Sequence, residues 1–524
     1  MMKKIIGLLL TLILAACLLA AGCTSTESFG SDPGKTLVVG EMWRVSSIDP
    51  GDGQGRGTFI TEKAIVTETL VGADTDFALV PSLATEWRQI NDTTWEFDLR
   101  EGVLFHNGEE MTAESVVFSL DHIAENSPSI AALLDYKSSE VVDRYTIRIH
   151  TNTLNPLVPG ALHHPDTAII HPDSHDASGK FITPIGTGPM KLESFDEQTG
   201  EVVVVKNSEW WGGEPGLDRM IIRGYESPAT RAMLAESGEV DFTVDPPYSE
   251  VDRLDAIDGI RVEKYNTPRI YKLDVNLNRP PMDDKNVRKA ISHAIDRDGI
   301  VDNVLYGVGS PAGGVFLPTM AWANTTLKPY TYDPALAKQY LAESGWTDTD
   351  GDGYVDKDGK NLKVKVVTYT ERPGLPPMLE AIAANLKSVG IEVETLSMEN
   401  SALTAAMADG TCTWDLYLSA INLAMVPDPE YVLKGWYTTT GSSNTAGYSN
   451  PEVDRMIMEG HNISDLDERY DHFRRIEAIV YDDLPTINVA YYGVAVVMKD
   501  TVNGYKFDPT AHDYRIDPFM SISA

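Results

Sequence analysis

The chain has 524 residues, a formal net charge of −35, and 42% hydrophobic and 23% charged residues. That length and balance suit two or three packed lobes with sizeable cores and argue against wholesale disorder. The acidity argues against a nucleic-acid partner, because a phosphate backbone calls for a basic face; it is compatible with a cationic ligand, and a solvated acidic surface is the plainer account.

The N-terminus reads as a targeting segment. Met1-Met2-Lys3-Lys4 is a short basic start, and residues 5–21 are apolar apart from one threonine. Small residues then lead to a cysteine in Ala20-Ala21-Gly22-Cys23, which is similar to the lipobox of acylated proteins. Leu14-Ala15-Ala16-Cys17 fits as well, and Cys23 is preferred because cleavage before Cys17 would leave an apolar stub. An uncleaved membrane anchor is the alternative. Cys412 is then left without a partner, so no disulfide framework is expected and packing must hold the fold. No second apolar stretch of membrane-spanning length follows.

Leu37–Gly40 predicts a strand, followed by a loop over residues 41–57 that contains Trp43, Arg44 and the run DPGDGQGRG. Those glycines lack the spacing of a phosphate loop. Trp95, Phe97 and Leu99 alternate with polar residues, the period of a half-buried strand. Glu101-Gly102 turns the chain, and Phe105 opens a second short apolar piece. Thr112 stands as an N-cap with Glu114 in the first turn, ahead of Val116, Val117, Leu120 and Ile123 at helical spacing. RYTIRIH predicts a strand. His163, His164 and His171 follow, but without i,i+4 spacing and interrupted by Pro165 and Pro172, which reads as a surface loop rather than a chelating face.

Val202–Val205 suits a doubly buried strand, and Trp210-Trp211 precedes a Gly-Gly turn. Val287, Ala290, Ile291 and Ala294 form one helix stripe, with the neighbouring arginines and lysines assigned to its wet face. LKVKVVTY, a helix bearing Leu379, Ile382, Leu386 and Val389, a cap at Gly390 and IEVETL make a β-α-β unit of the kind that builds parallel sheet. LPTINVAYYGVAVVMKD returns a final strand.

One stretch carries metal-ligand spacing. Asp348, Asp350, Asp352 and Asp356 occupy positions 1, 3, 5 and 9 of a calcium-type loop, with Gly353 at position 6 and the Tyr354 carbonyl available at 7. Gly359 replaces the bidentate glutamate at position 12, and Asp358 sits one place early. A structural calcium is expected here, with an exposed acidic turn as the alternative. No HExxH, GxSxG, Cys-x-x-Cys or Walker-type loop occurs, so no enzyme activity is expected and no cofactor is required.

The segment PSLATEWRQINDTTWEFDLREGVLFHNGEEMTAESVVFSLD resembles the hallmark of the extracytoplasmic solute-binding proteins of peptide/nickel-type ABC importers, the bacterial extracellular solute-binding protein family 5. IGTGPMKLESF, VVVVKNSEWWGG, the segment from LDRMIIRGYE to SGEVDF and the one from LDVNLNRPP to DNVLYG match the family's landmarks in order. The resemblance implies an α/β, periplasmic-binding-protein-like type II fold with two large lobes and an additional inserted one. Its boundaries would be 1–22 signal peptide, 23–34 linker, 35–67 plus 185–269 plus 495–524 lobe Ia, 68–184 inserted lobe Ib and 270–494 lobe II.

It further implies a monomeric, membrane-anchored, extracytoplasmic receptor that closes on one solute and docks on permease subunits with their ATPases. A peptide comes first among solutes, a nickel or other metal chelate second, and a secreted hydrolase is the rival class. By analogy Trp43 and Arg44 overlook the ligand cleft and Arg372 meets a ligand carboxylate, with a plain surface arginine as the alternative; Tyr491 and Tyr492, near the presumed cleft strand, either wall a ligand or simply pack. In peptide-binding members an aspartate ahead of an Asp-Pro pair holds the ligand amine. Here Asp428-Pro429 is preceded by Asn422, Leu423, Ala424 and Met425, with no acid, so Asn422 and Met425 take that place.

Overall fold

The computed structural model describes residues 35–51 and 57–523; the basic start, the apolar segment, Cys17 and Cys23 lie outside the described residues. Two long strands, Ile260–Val275 and Thr486–Lys499, form the spine of an eleven-stranded sheet. They pair antiparallel along nearly their whole length, with register shifts between Asn266 and Ile270 and between Tyr271 and Lys272. On one flank the sheet continues through Phe242–Val244 and Thr36–Glu41 to Arg219–Gly224, then into the antiparallel strands Glu201–Lys206 and Met190–Asp196. On the other flank Leu416–Asn422 pairs antiparallel with Ile260–Val275, and Lys363–Tyr369 and Glu392–Met398 follow in parallel.

The β-α-β unit on that second flank forms for the expected reason. Helix Leu375–Ser388 buries Leu379, Ile382 and Leu386, and Gly390 takes the left-handed backbone (φ +91°) that lets the next strand start at once. The boundaries at 269/270 and 494/495 fall inside the two long strands rather than in linkers. One apolar core runs beneath both flanks, joining Val39 and Val244 to Val366 and Leu418.

The segment 68–184 builds a separate core around a four-stranded antiparallel sheet ordered Ala84–Asn91, Thr94–Leu99, Thr146–Thr151, Tyr136–Asp143. Helix Ala113–Asn126 covers it, burying Val116, Leu120 and Ile123. Thr112 caps this helix, but Ser115 rather than an acid completes the box: the Thr112 amide donates to the Ser115 hydroxyl at 3.1 Å. Phe105 is buried without belonging to a strand, since only an isolated bridge, Leu104 to Glu110, flanks it.

Two details depart from sequence-based expectation, and a third adds to it. Arg288 is buried on its helix, Lys285–Ala294, and donates to the carbonyls of Met282 (2.9 Å) and Asp483 (2.7 Å). Asp483 ends helix Leu466–Asp483, whose free carbonyls and negative dipole end attract a cation. Pro165 and Pro172 open short 3₁₀ turns, and His164 and His171 cap them by accepting the amides of Asp166 (3.2 Å) and Asp173 (3.1 Å). The Trp210 and Trp211 indoles both donate to buried Glu68 (3.1 and 2.9 Å), which also accepts the Thr187 hydroxyl at 2.7 Å. The paired tryptophans thus pin the start of the inserted lobe to the first one.

Candidate functional site

Charged groups gather at the carboxyl ends of the sheet strands, where open α/β sheets bind ligands. Trp43 and Arg44 lie just past strand Thr36–Glu41, Arg372 three residues past Lys363–Tyr369, and Asn422 ends its own strand. Arg269 is the register partner of Asn422 on the neighbouring strand. A cavity of roughly 560 Å³, counted out to its open mouth, is lined by Trp43, Arg44, Phe59, Lys63, His512 and Asp513 among others.

Behind the cavity wall sits a buried ion cluster. Asp513 Oδ1 lies 3.2 Å from Arg269 Nε and 3.1 Å from Arg372 Nη1, and Arg269 Nε also donates to the His512 carbonyl at 2.8 Å. Arg372 stacks on Tyr492 (5.2 Å to the ring centre) and donates to its hydroxyl at 3.2 Å. The Tyr492 hydroxyl in turn donates to Asp245. Burial alone would raise Asp513, but the two guanidiniums hold it well below the ordinary carboxylate range. Burial pushes Asp245 up to about 6, against the hydrogen bonds it accepts from Tyr492 and the Ala495 amide. Burial, with the Arg269 charge beside it, keeps His512 well below the usual imidazole value and therefore neutral.

The cluster is not self-satisfied. Arg269 Nη2, Asn422 Nδ2 and His512 Nδ1 are buried and have no hydrogen-bond partner among the described residues. An unpaired buried donor costs about 1–3 kcal/mol, more when charged, so Arg269 Nη2 and Asn422 Nδ2 imply an absent acceptor. Two guanidiniums sharing one carboxylate point the same way: the site as built favours an added anion.

Trp43 and Arg44 line the cavity, and Arg44 is held by the carbonyls of Glu197 (2.7 Å) and Gln198 (2.8 Å), which leave its charge intact. Arg372, Asn422 and Tyr492 belong to the cluster behind it, while Met425 is half-buried three residues beyond Asn422. Tyr491 points to the opposite face of its strand, as consecutive strand residues must. Its hydroxyl donates to the Gly314 (3.1 Å) and Phe316 (2.9 Å) carbonyls within a separate core, so it walls no ligand here. Asp428 is spent locally: it caps helix Pro429–Tyr437 and binds Arg469 at 2.9 Å.

Lys63, Arg269, His512 and Asp513 escaped sequence reasoning. Arg269 shares the buried half of its strand with Lys272 and Asp274, so its charge alone did not single it out. The polar run His512–Arg515 reads as a turn until its partners, more than a hundred residues away, are known.

In the acidic loop Asp348, Asp350 and Asp356 bring carboxylate oxygens within 4.8 Å of one another. Asp352 is not among them; it accepts from Asn361 Nδ2 (3.1 Å) and the Tyr354 amide (2.8 Å). Asp348 accepts the Gly351 (2.7 Å) and Gly353 (3.1 Å) amides, and both glycines have positive φ.

Residues 78–444 match the family model described as bacterial extracellular solute-binding proteins, family 5 middle. The chain belongs to this family. The nickel-binding protein NikA of Staphylococcus aureus is 28% identical over 503 residues, 95% of this chain and 96% of its own. The glutathione-binding protein GsiB of Salmonella paratyphi A is 27% identical over 504 residues, 93% of this chain and 94% of its own. Among solved structures, NikA from Brucella suis in complex with Fe(III)-EDTA superimposes with a TM-score of 0.83 at 26% identity, covering 91% of this chain and 98% of that one. The family-5 fold accounts for the three-part construction, and no helix among the described residues is long and apolar enough to cross a membrane.

Proposed function

We propose that this family-5 binding protein captures a small solute bearing one or more carboxylates and hands it unchanged to the permease of an ABC importer. The observation that carries the reading is the unpartnered, buried Nη2 of Arg269, with Asn422 Nδ2 unpartnered in the next strand. A ligand carboxylate would satisfy both, Trp43 and Phe59 would cover its apolar part, and Lys63 and Arg44 would add positive field. Glutathione and EDTA, which two similar proteins take, both carry carboxylates. A free-amine peptide is favoured less, since Asp428 is already paired with Arg469.

A second reading has a specific observation behind it. The unpartnered Nδ1 of His512 offers a lone pair beside the cationic cluster, which suits a metal chelate whose carboxylates meet Arg269. Native mass spectrometry of protein purified without refolding tests both readings. A co-purifying carboxylate-bearing mass supports the first, and one containing nickel or another transition metal supports the second. A neutral or purely cationic ligand, or turnover of the ligand, overturns both.

The proposal extends to a monomer held on the outer face of the membrane through acylated Cys23. It also extends to a structural calcium on Asp348, Asp350 and Asp356. Calcium is expected to raise the unfolding temperature, by an amount corresponding to about 2.7 kcal/mol at a hundredfold excess over its dissociation constant. Asp350→Asn is expected to abolish that rise; a calcium-independent melting curve in the unaltered protein would rule the ion out.

A further inference from the structure

The inserted lobe touches lobe II at His461. His461, which caps helix Pro451–Gly460 of lobe II, has Nδ1 2.7 Å from Glu430 Oε1 and Nε2 2.6 Å from the carbonyl of Leu154 in the inserted lobe. Both partners are acceptors: Glu430 is buried and paired with Arg469 Nη2 at 2.8 Å, and a peptide carbonyl cannot donate. A neutral imidazole carries one N–H, so it can serve one of these acceptors and must turn a lone pair on the other. Only the imidazolium, with two donors, fits the geometry found. Close by, a Cβ on Gly160 of the inserted lobe would lie 3.2 Å from Val426 Cγ1, so the Gly160 backbone packs against the Val426 side chain there.

We propose that His461 is a protonation-dependent latch between the inserted lobe and lobe II, coupling lobe closure to pH. The charged groups around it are few. From its own lobe, Glu430 faces Nδ1; Arg469 and Lys434 (3.4 Å) share that carboxylate, and Asp428 pairs with Arg469. Among the described residues of the inserted lobe the latch meets the Leu154 carbonyl, with Asp135 opposite Lys434 and Asp166 opposite Tyr431 at longer range. The Glu430 hydrogen bond and charge raise His461 above the ordinary imidazole value, against the effect of burial. A group raised in this way contributes stability that is fully present below its unfolded pKa and is lost as pH rises through the folded one. The latch is therefore closed below the His461 midpoint and released above it. This holds whichever solute is bound and does not rest on the ligand assignment above.

Two measurements test it on the full-length protein. A histidine-selective NMR titration is expected to place His461 above about 6.5, the unperturbed value. Spin labels at Lys137→Cys on the inserted lobe and Glu468→Cys on lobe II, both exposed positions, report the separation without any ligand. Between about pH 6 and about pH 9, bracketing the imidazole range, the distances are expected to shift outward in the unaltered background and to stay unchanged with His461→Gln. A His461 midpoint at or below the unperturbed value overturns the proposal, as does the same pH-dependent shift in the glutamine variant.

Discussion

Arg269→Met is expected to lower solute affinity by about 2–5 kcal/mol, the usual effect of truncating one partner of a buried charged contact. That is a loss of at least about thirtyfold. Methionine keeps the aliphatic stem, and Asp513 retains Arg372 (3.1 Å), so the cluster is not left with an unpaired carboxylate. The loss should therefore appear in binding and not as unfolding. Isothermal titration of the variant with the solute identified by mass spectrometry, beside a thermal melt, separates the two. Unchanged affinity would show that the unpartnered guanidinium nitrogen is not where the ligand sits. Arg44→Met is the useful contrast: that arginine is solvent-exposed at the cavity mouth, so it should affect the association rate and its salt dependence more than final affinity.

Phe77→Ala has the second largest expected effect. Phe77 lies on a turn of the inserted lobe, closed by the Phe77 amide on the Asp74 carbonyl at 2.9 Å. Its ring nevertheless belongs to the core of lobe II, edge-on to Trp322 with centroids 6.2 Å apart. It adopts a left-handed backbone (φ 65°), uncommon for a bulky residue, which aims the ring out of its own lobe. Truncating a buried phenylalanine costs about 3–5 kcal/mol, and here the cost falls on the contact between lobes rather than on either core alone. Hydrogen exchange is expected to quicken around Phe77 and around Trp322, while the cluster at Phe97 and Leu120 stays protected. Equal protection in the variant would mean the contact contributes little. With the His461 latch, this plug makes two separate ties between inserted lobe and lobe II, one apolar and one ionic.

The elements that the sequence announced share a property. Helix Ala113–Asn126, helix Leu375–Ser388 and strand Thr94–Leu99 each carry their own period, cap or turn within a short window, so local chemistry decides them. The misreadings share the opposite property. Arg288 looked solvated because nothing nearby revealed the open end of helix Leu466–Asp483. Tyr491 and Tyr492 looked equivalent because only the flanking strands decide which face meets Asp245 and which meets Gly314. Asp352 fitted a calcium loop by spacing, yet Asn361 draws its carboxylate aside.

The sequence alone determined the family and its fold class, because the landmark segments are contiguous and each folds on local instructions. Only the tertiary structure decided the binding chemistry. Arg269, Arg372 and Asp513 lie more than a hundred residues apart in sequence, and their charges become a site only when the fold brings one long strand and two loop segments into one water-poor volume. Burial is what gives those charges their strength and leaves a donor without an acceptor, and burial is a property of the folded whole.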